Sequence, residues 1–170
     1  MEITTTIIIP NYNGLKFMDE CIRSLNAQTY PNFRTLVVDN GSTDGSVEWL
    51  KDIRSIRFSC RKTRDFPVSQ RRNQGGRHTV CAALNNDVRV DEYFVAEMVR
   101  AIGQSERIFS VSSRMIQMYH PDRLDDAGDM YSLLGWAYQR GVGRDLTHYR
   151  RSSRVFSACA GAAIYRREVV

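Results

Sequence analysis

Apolar runs separated by short polar breaks set the rhythm of the first sixty residues, and that rhythm predicts the order of elements. Thr5-Thr6-Ile7-Ile8-Ile9 is β-branched throughout, as in a strand covered on both faces, and Pro10 stops it because proline cannot donate to a ladder. Asn11-Tyr12-Asn13-Gly14 is then a loop at the strand's carboxyl end. Phe17, Met18, Cys21, Ile22 and Leu25 recur at helical spacing and form one apolar stripe, which Gln28-Thr29-Tyr30-Pro31 terminates. Arg34-Thr35-Leu36-Val37-Val38 reads as a second buried strand that empties into Asp39-Asn40-Gly41-Ser42-Thr43-Asp44-Gly45. Ser42 is placed to cap a helix with Val47, Leu50 and Ile53 on its inner side, and Ile56-Arg57-Phe58 is a weaker third strand. The sum is a β-α-β-α-β unit of the doubly wound α/β kind, with right-handed parallel crossovers.

The second half is less regular. Ala82-Ala83-Leu84 is an apolar run that stops on Asn85-Asn86-Asp87, and a helix is expected from Asp91, its cap, with Phe94, Val95, Met98, Val99 and Ile102 inside. Ile108 to Val111 predicts another strand, and Val155 to Tyr165, rich in Ala and Gly, a strand against which something packs closely. Residues 113–150 show no clean period and predict long loops with a hairpin or a short helix. At 170 residues and 42% hydrophobic, the chain suits one domain with one buried core.

Charge sharpens this only slightly. A formal net charge of +5 suits an anionic partner, and much of the excess lies between Arg54 and His78, where eight Arg and Lys face Asp65 alone. That segment raises nucleic-acid binding as a reading, but aromatics are not interleaved with its cations, and a solvated basic face near a diphosphate accounts for it better. Cys21, Cys60, Cys81 and Cys159 have neither zinc nor thioredoxin spacing, which favours buried or free thiols in a reducing cytoplasm. No apolar run approaches the roughly 20 residues of a membrane span, so membrane contact is expected to be peripheral.

The candidate chemistry lies where the strands end. Asn11 to Gly14, Asp39 to Asp44 and Asn85 to Asp87 terminate successive strands, and in a parallel sheet those ends share one edge, where ligands bind in open α/β folds. Asp39 is placed to accept hydrogen bonds from a base or ribose, although a turn or capping aspartate looks the same in sequence. Asp87 is a candidate metal-facing carboxylate. One can suffice, because Mg²⁺ takes further ligands from substrate phosphates and water. Asn-Asn-Asp after a strand is equally ordinary turn chemistry.

Four motifs in order carry a resemblance to a known family. Ile7-Ile8-Ile9-Pro10-Asn11-Tyr12-Asn13-Gly14, Leu25-Asn26-Ala27-Gln28-Thr29-Tyr30-Pro31-Asn32-Phe33, Val37-Val38-Asp39-Asn40-Gly41-Ser42-Thr43-Asp44-Gly45 and Leu84-Asn85-Asn86-Asp87 are similar to the signatures of family 2 inverting glycosyltransferases. Asp125 to Arg140 and Ala158 to Arg167 resemble the rhamnosyltransferase-like branch most. The resemblance implies the GT-A fold, a Rossmann-like three-layer sandwich of the nucleotide-diphospho-sugar transferase type with a mostly parallel central sheet. It also implies that Pro10, Tyr12 and Asn13 line a nucleotide pocket, that Asp39 contacts the base, and that Asn73 with Gly75 lies near base and diphosphate. Asn85-Asn86-Asp87 stands where the family has its DXD motif, so Asp87 would hold a divalent metal, Mg²⁺ or Mn²⁺, while Asn85 and Asn86 bond sugar or ribose.

The implied reaction moves a sugar from a nucleoside-diphosphate donor to a hydroxyl of a glycan or lipid-linked acceptor, with inversion, as in cell-envelope polysaccharide synthesis. Residues 1–112 would be the donor-binding half and 113–170 an incomplete acceptor side. Between Asn73 and Leu84 the chain is a few residues shorter than the family pattern. The family's acidic pair, which supplies the base, would follow Arg166-Arg167, so the base is expected beyond Val170. Asp125, Asp126 and Asp129 read more simply as a solvated turn. A fragment that binds the donor without transferring it is the alternative, and exposed apolar surface raises a homodimer.

Overall fold

The computed structural model describes residues 3–53, 55–60 and 80–167, with the side chains of 58–60 set aside. The basic segment from Arg61 to His78, and with it Asn73 and Gly75, lies outside the described residues.

A six-stranded sheet carries the domain. In chain order its strands are β1 (Thr5–Asn11), β2 (Phe33–Asp39), β3 (Ile56–Cys60), β4 (Val80–Leu84), β5 (Ser110–Ser112) and, near the end of the chain, β10 (Ala162–Arg166). Their spatial order is β3-β2-β1-β4-β10-β5. Pairs β3-β2, β2-β1 and β1-β4 are parallel, whereas β10 runs antiparallel to both β4 and β5. The strand expected over 155–165 thus forms only over its last part, and it is threaded between two strands that come earlier in the chain.

Burial along the strands alternates. Thr5, Ile7, Ile9 and Asn11 in β1, Thr35, Val37 and Asp39 in β2, and Val80, Ala82 and Leu84 in β4 are buried, while the residues between them are half-buried. Continuous β-branching suggested cover on both faces, yet among the described residues one face is far better covered. Helices α1 (Leu15–Asn26) and α3 (Phe94–Gly103) contribute Met18, Cys21, Ile22 and Leu25, and Val95, Met98, Val99 and Ile102, to a single apolar cluster with those strands. Phe17 and Phe94, at the margins of the predicted stripes, are half-buried. Each fully buried aliphatic chain contributes about 1.5–3 kcal/mol of transfer free energy. The short α2 (Ser46–Lys51) adds Leu50.

Two expected helix caps fall elsewhere. Ser42 does not cap α2, which begins after Gly45 in the left-handed region (φ 90°), and Ser42 turns instead toward Asp39. Asp91 accepts from the Tyr93 N–H at 2.9 Å, closing a turn ahead of α3, whose first helical residue is Phe94. In both cases a short polar side chain found a nearer backbone or side-chain partner than the helix end. The far end of α3 is held from β10: the Arg166 guanidinium donates to the carbonyls of Ile102 (2.7 Å) and Ser105 (2.9 Å), which lie at the negative end of the helix dipole.

Residues 113–150 form no helix. Two small antiparallel ribbons fill the region, β6 (Met115–Ile116) with β7 (Leu124–Asp126), and β8 (Asp129–Tyr131) with β9 (Ala137–Gln139). The reading of Asp125, Asp126 and Asp129 as a solvated turn needs correction. Asp126 is wholly buried, and Asp129 accepts from the Ser157 hydroxyl at 2.8 Å.

Candidate nucleotide-binding rim

Register brings the site together. Parallel pairing sets Asn11, the last residue of β1, opposite Asp39, the last of β2. The Asn11 amide donates to Asp39 Oδ2 at 2.8 Å, and its own Oδ1 accepts from the Asn86 amide at 2.8 Å. One hydrogen-bonded chain, Asp39-Asn11-Asn86, therefore spans the carboxyl ends of β2, β1 and β4. The three polar clusters converge on a single rim, as their positions at strand ends predict.

Asp39 lies beneath that rim, fully buried. Oδ1 accepts from the N–H groups of Gly41 and Ser42, both at 2.9 Å, and Oδ2 accepts from the Ser42 hydroxyl at 2.5 Å and from Asn11. Four bonds fill the four acceptor positions of a carboxylate. Burial opposes its ionisation, and the bonds from Ser42, Asn11 and Gly41 outweigh burial, holding the Asp39 carboxyl below the ordinary aspartate range. A base or ribose would meet this carboxylate only by exchange with one of those partners.

The loops above it are pinned to each other. Asn13 occupies the left-handed region (φ 50°), which asparagine tolerates, donates its N–H to Ser42 Oγ (2.9 Å) and accepts the Thr43 N–H on Oδ1 (2.8 Å). Asp44 reaches back across the gap to cap α1, accepting the Leu15 N–H at 2.9 Å, and also accepts from the Ser46 hydroxyl. Gly14 makes the crossing feasible: a Cβ there would lie 2.0 Å from Asn86 Nδ2 and 2.6 Å from Asn11 Oδ1. Only a residue with no side chain lets β1's loop pass this close to the amide chain.

Around this frame, Tyr12 is 66% exposed, Asn85 and Asp87 are exposed, and Pro10 and Asn86 are half-buried. The Asn85 N–H donates to the Gly161 carbonyl at 2.9 Å, which fixes the end of β4 against the turn before β10. Cys21 donates its thiol to the Asn85 carbonyl at 3.8 Å, and that thiol is pushed up to about 12, first by burial and then by the negative charge of Asp87. Such a thiol stays protonated and behaves as a core residue.

Donor chemistry at the rim is oxygen and amide only, and no group of three or more His, Cys, Asp or Glu able to hold a metal occurs among the described residues. The fit is therefore to a hard cation that takes most of its ligands from substrate phosphates and water, with Asp87 as an exposed carboxylate to which no hydrogen bond is committed among the described residues, unlike exposed Asp44, which caps α1. Of the expected site residues, Asn13, Asp39 and Asn86 belong to the bonded network, while Pro10, Tyr12, Asn85 and Asp87 are adjacent in chain to its members. Asn11 and Asp44 entered the sequence reading only as members of strand-end clusters and Ser42 only as a helix cap, with no role of their own in the site. The signal for Asn11 was present in its place at the end of β1, opposite an acidic strand end.

The profile described as Glycosyl transferase family 2 matches residues 6–170. The chain belongs to that family. A Sinorhizobium fredii protein, y4gI, is 33% identical over 143 residues, covering 78% of this chain and 15% of its own length. Glycosyltransferase GlyG of Streptococcus pneumoniae is 42% identical over 48 residues, 28% of this chain and 16% of that protein. Residues 1–349 of S. aureus TarS, solved in complex with UDP-GlcNAc, superpose with a TM-score of 0.66 at 17% identity, covering 98% of this chain and 46% of that one. At that identity the likeness is one of fold: a mixed α/β domain with a mostly parallel sheet of the GT-A type. The chain spans only 10–15% of the length of the first curated relatives it matches.

Proposed function

We propose that this family 2 domain binds a nucleoside-diphosphate sugar at the rim and serves its transfer, with inversion, to a hydroxyl acceptor. The observation that carries the reading is the Asp39-Asn11-Asn86 chain, which locks three strand ends into one ledge with Tyr12, Asn85 and Asp87 exposed around it. Asp39 acts by holding the Gly41-Ser42 turn and Asn11 in place, so that loop N–H groups and amides present a preformed surface to base and ribose. Pro10, Tyr12 and Asn13 form its wall, and Tyr12 offers an exposed ring for stacking. Asn85 and Asn86 bond sugar or ribose hydroxyls. Asn73, outside the described residues, completes the pocket in this reading.

A divalent ion, Mg²⁺ or Mn²⁺, bound at Asp87 would neutralise charge developing on the departing diphosphate. Asn85 and Asn86 orient the donor, and Asp87 fixes where the diphosphate lies relative to them. The acceptor in this reading is a glycan or a lipid-linked saccharide, the latter requiring work at a membrane surface, and the branch is the rhamnosyltransferase-like one.

Calorimetric titration with UDP, GDP or dTDP, with and without Mg²⁺ or Mn²⁺, tests the reading. The expected result is metal-enhanced binding, with the enhancement lost and affinity down roughly tenfold or more in Asp87→Ala. Metal-dependent affinity that survives the substitution would remove Asp87 from its role.

A further inference from the structure

The β8-β9 ribbon ends in an apolar tip. Leu133 is 107% exposed, Leu134 85% and Trp136 72%. Below them, Tyr131 and Phe156, both exposed, stack at 5.1 Å with rings 19° apart. Scattered single apolar residues need no explanation, but five contiguous in space on one protrusion do.

Three internal hydrogen bonds hold the tip in shape. The Ser132 N–H donates to the Trp136 carbonyl (2.8 Å), the Gly135 N–H to the Ser132 carbonyl (3.0 Å), and the Trp136 N–H to the Ser132 hydroxyl (3.1 Å). These bonds satisfy the backbone donors of Ser132, Gly135 and Trp136, which lowers the cost of placing the turn where water is scarce. The ribbon's base is tied down by Phe156 N–H to Asp129 carbonyl (2.9 Å) and Asp129 N–H to Ser157 carbonyl (3.1 Å).

Positive charge lies on the segment that stacks on the ribbon through Phe156. The segment leading into Phe156 carries exposed Arg150, Arg151 and Arg154, and from 140 to 154 five arginines face Asp145 alone. Arg140 binds that segment to the ribbon by donating to Ser153 Oγ (2.7 Å) and to the Ala127 carbonyl, with its guanidinium 4.8 Å above the Tyr149 ring. Leucines at the point, tryptophan and tyrosine behind them and arginines at the shoulder match the layers of a bilayer interface: acyl chain, headgroup boundary, anionic phosphate. A protein partner would instead meet a flatter patch depleted in charge.

We propose that the Leu133-Leu134-Gly135-Trp136 tip inserts into the interface of an anionic membrane, with Arg150, Arg151 and Arg154 contacting lipid phosphates. This names a surface for the membrane-level work that a lipid-linked acceptor demands and rests on that part of the reading above; nucleotide binding is tested separately.

The test is vesicle flotation with phosphatidylcholine alone and with added phosphatidylglycerol, in a Trp49→Phe background so that Trp136 is the sole tryptophan. Expected are binding to the anionic vesicles, a blue shift of Trp136 emission with protection from aqueous quencher, and a roughly tenfold or greater loss of partitioning in Leu133→Ser/Leu134→Ser and in Arg150→Gln/Arg151→Gln/Arg154→Gln. Both variants should melt as the parent does and bind nucleoside diphosphate with parental affinity. Failure to bind anionic vesicles, or binding indifferent to the leucine pair, overturns the proposal. So does a dimer, seen by sedimentation, that the leucine variant converts to monomer while vesicles are ignored.

Discussion

Two wholly buried aspartates in this chain are displaced from the ordinary carboxyl range in opposite directions. At the end of β2, Asp39 has both oxygens saturated by four donors, and those bonds overcome burial to favour the charged form. At the end of β7, Asp126 accepts the Gly128 N–H on Oδ1 at 2.9 Å, while Oδ2 is buried without a partner. There burial dominates, reinforced by the negative charges of Asp129 and Asp125, and the carboxyl is pushed above the ordinary range. Both are closed to solvent, and the sign is set by four donors at Asp39 against fewer donors and two neighbouring carboxylates at Asp126. The sheet edge has loops from three strands to draw donors from, and a two-stranded ribbon has little beyond its own turn.

Removing the well-satisfied carboxylate should have the largest effect. Asp39→Ala strands the Gly41 and Ser42 N–H groups and the Asn11 amide, and a loss of about 3–5 kcal/mol is expected in urea unfolding. The linkage has a definite sign. Asp39 is depressed in the folded chain, so its contribution is present above the unfolded aspartate pKa, near ~3.9, and is lost as pH falls through the lower folded value. Wild type should therefore lose stability on acidification more steeply than Asp39→Asn, and equal slopes would break the contrast with Asp126.

A step smaller is Gly14→Ala. With a Cβ placed 2.0 Å from Asn86 Nδ2, the amide chain must part, at about 1–3 kcal/mol in thermal unfolding and with weaker nucleoside diphosphate binding. Unchanged stability would mean that the rim tolerates rearrangement and is less preformed than its bonds suggest.

The smallest effect belongs to Asp126→Asn, which keeps the acceptor for Gly128 and removes the ionisation. Asp126 is raised in the fold, so its contribution is complete below the unfolded pKa and disappears as pH rises through the folded value. The stability of the variant relative to wild type, measured by urea unfolding, should grow as pH rises above the unfolded aspartate pKa. A gap that narrows instead would show that Oδ2 finds a partner in solution.

The comparison also separates what could be read from the chain. The apolar stripe Met18, Cys21, Ile22, Leu25 and the polar strand ends at Asp39 and before Asn85 were legible, because helical period and strand-to-loop transitions are local, but Pro10 does not stop β1, which stays in register with β2 through Asn11. Ser42's true partner was not, since a hydroxyl offers the same group to a helix end or to a carboxylate three residues back. Asp126 looked solvated because Asp-Asp-Ala-Gly-Asp has the composition of a turn. Its burial depends on Gly128 (φ 102°) letting the chain close on Val155, a residue 27 positions away. The exposure of Leu133 and Leu134 was hidden for a similar reason, as leucine in sequence predicts burial.

The sequence alone determined the succession of strands and helices, their inner faces and the polar nature of the strand ends, because each rests on side chains a few residues apart. Tertiary structure decided that β10 enters between β4 and β5, that Asn11 bridges Asp39 to Asn86, and that one aspartate is saturated while another is left short. Those outcomes turn on which donors, tens of residues distant, arrive within 3 Å of a given oxygen, and no local pattern encodes that distance.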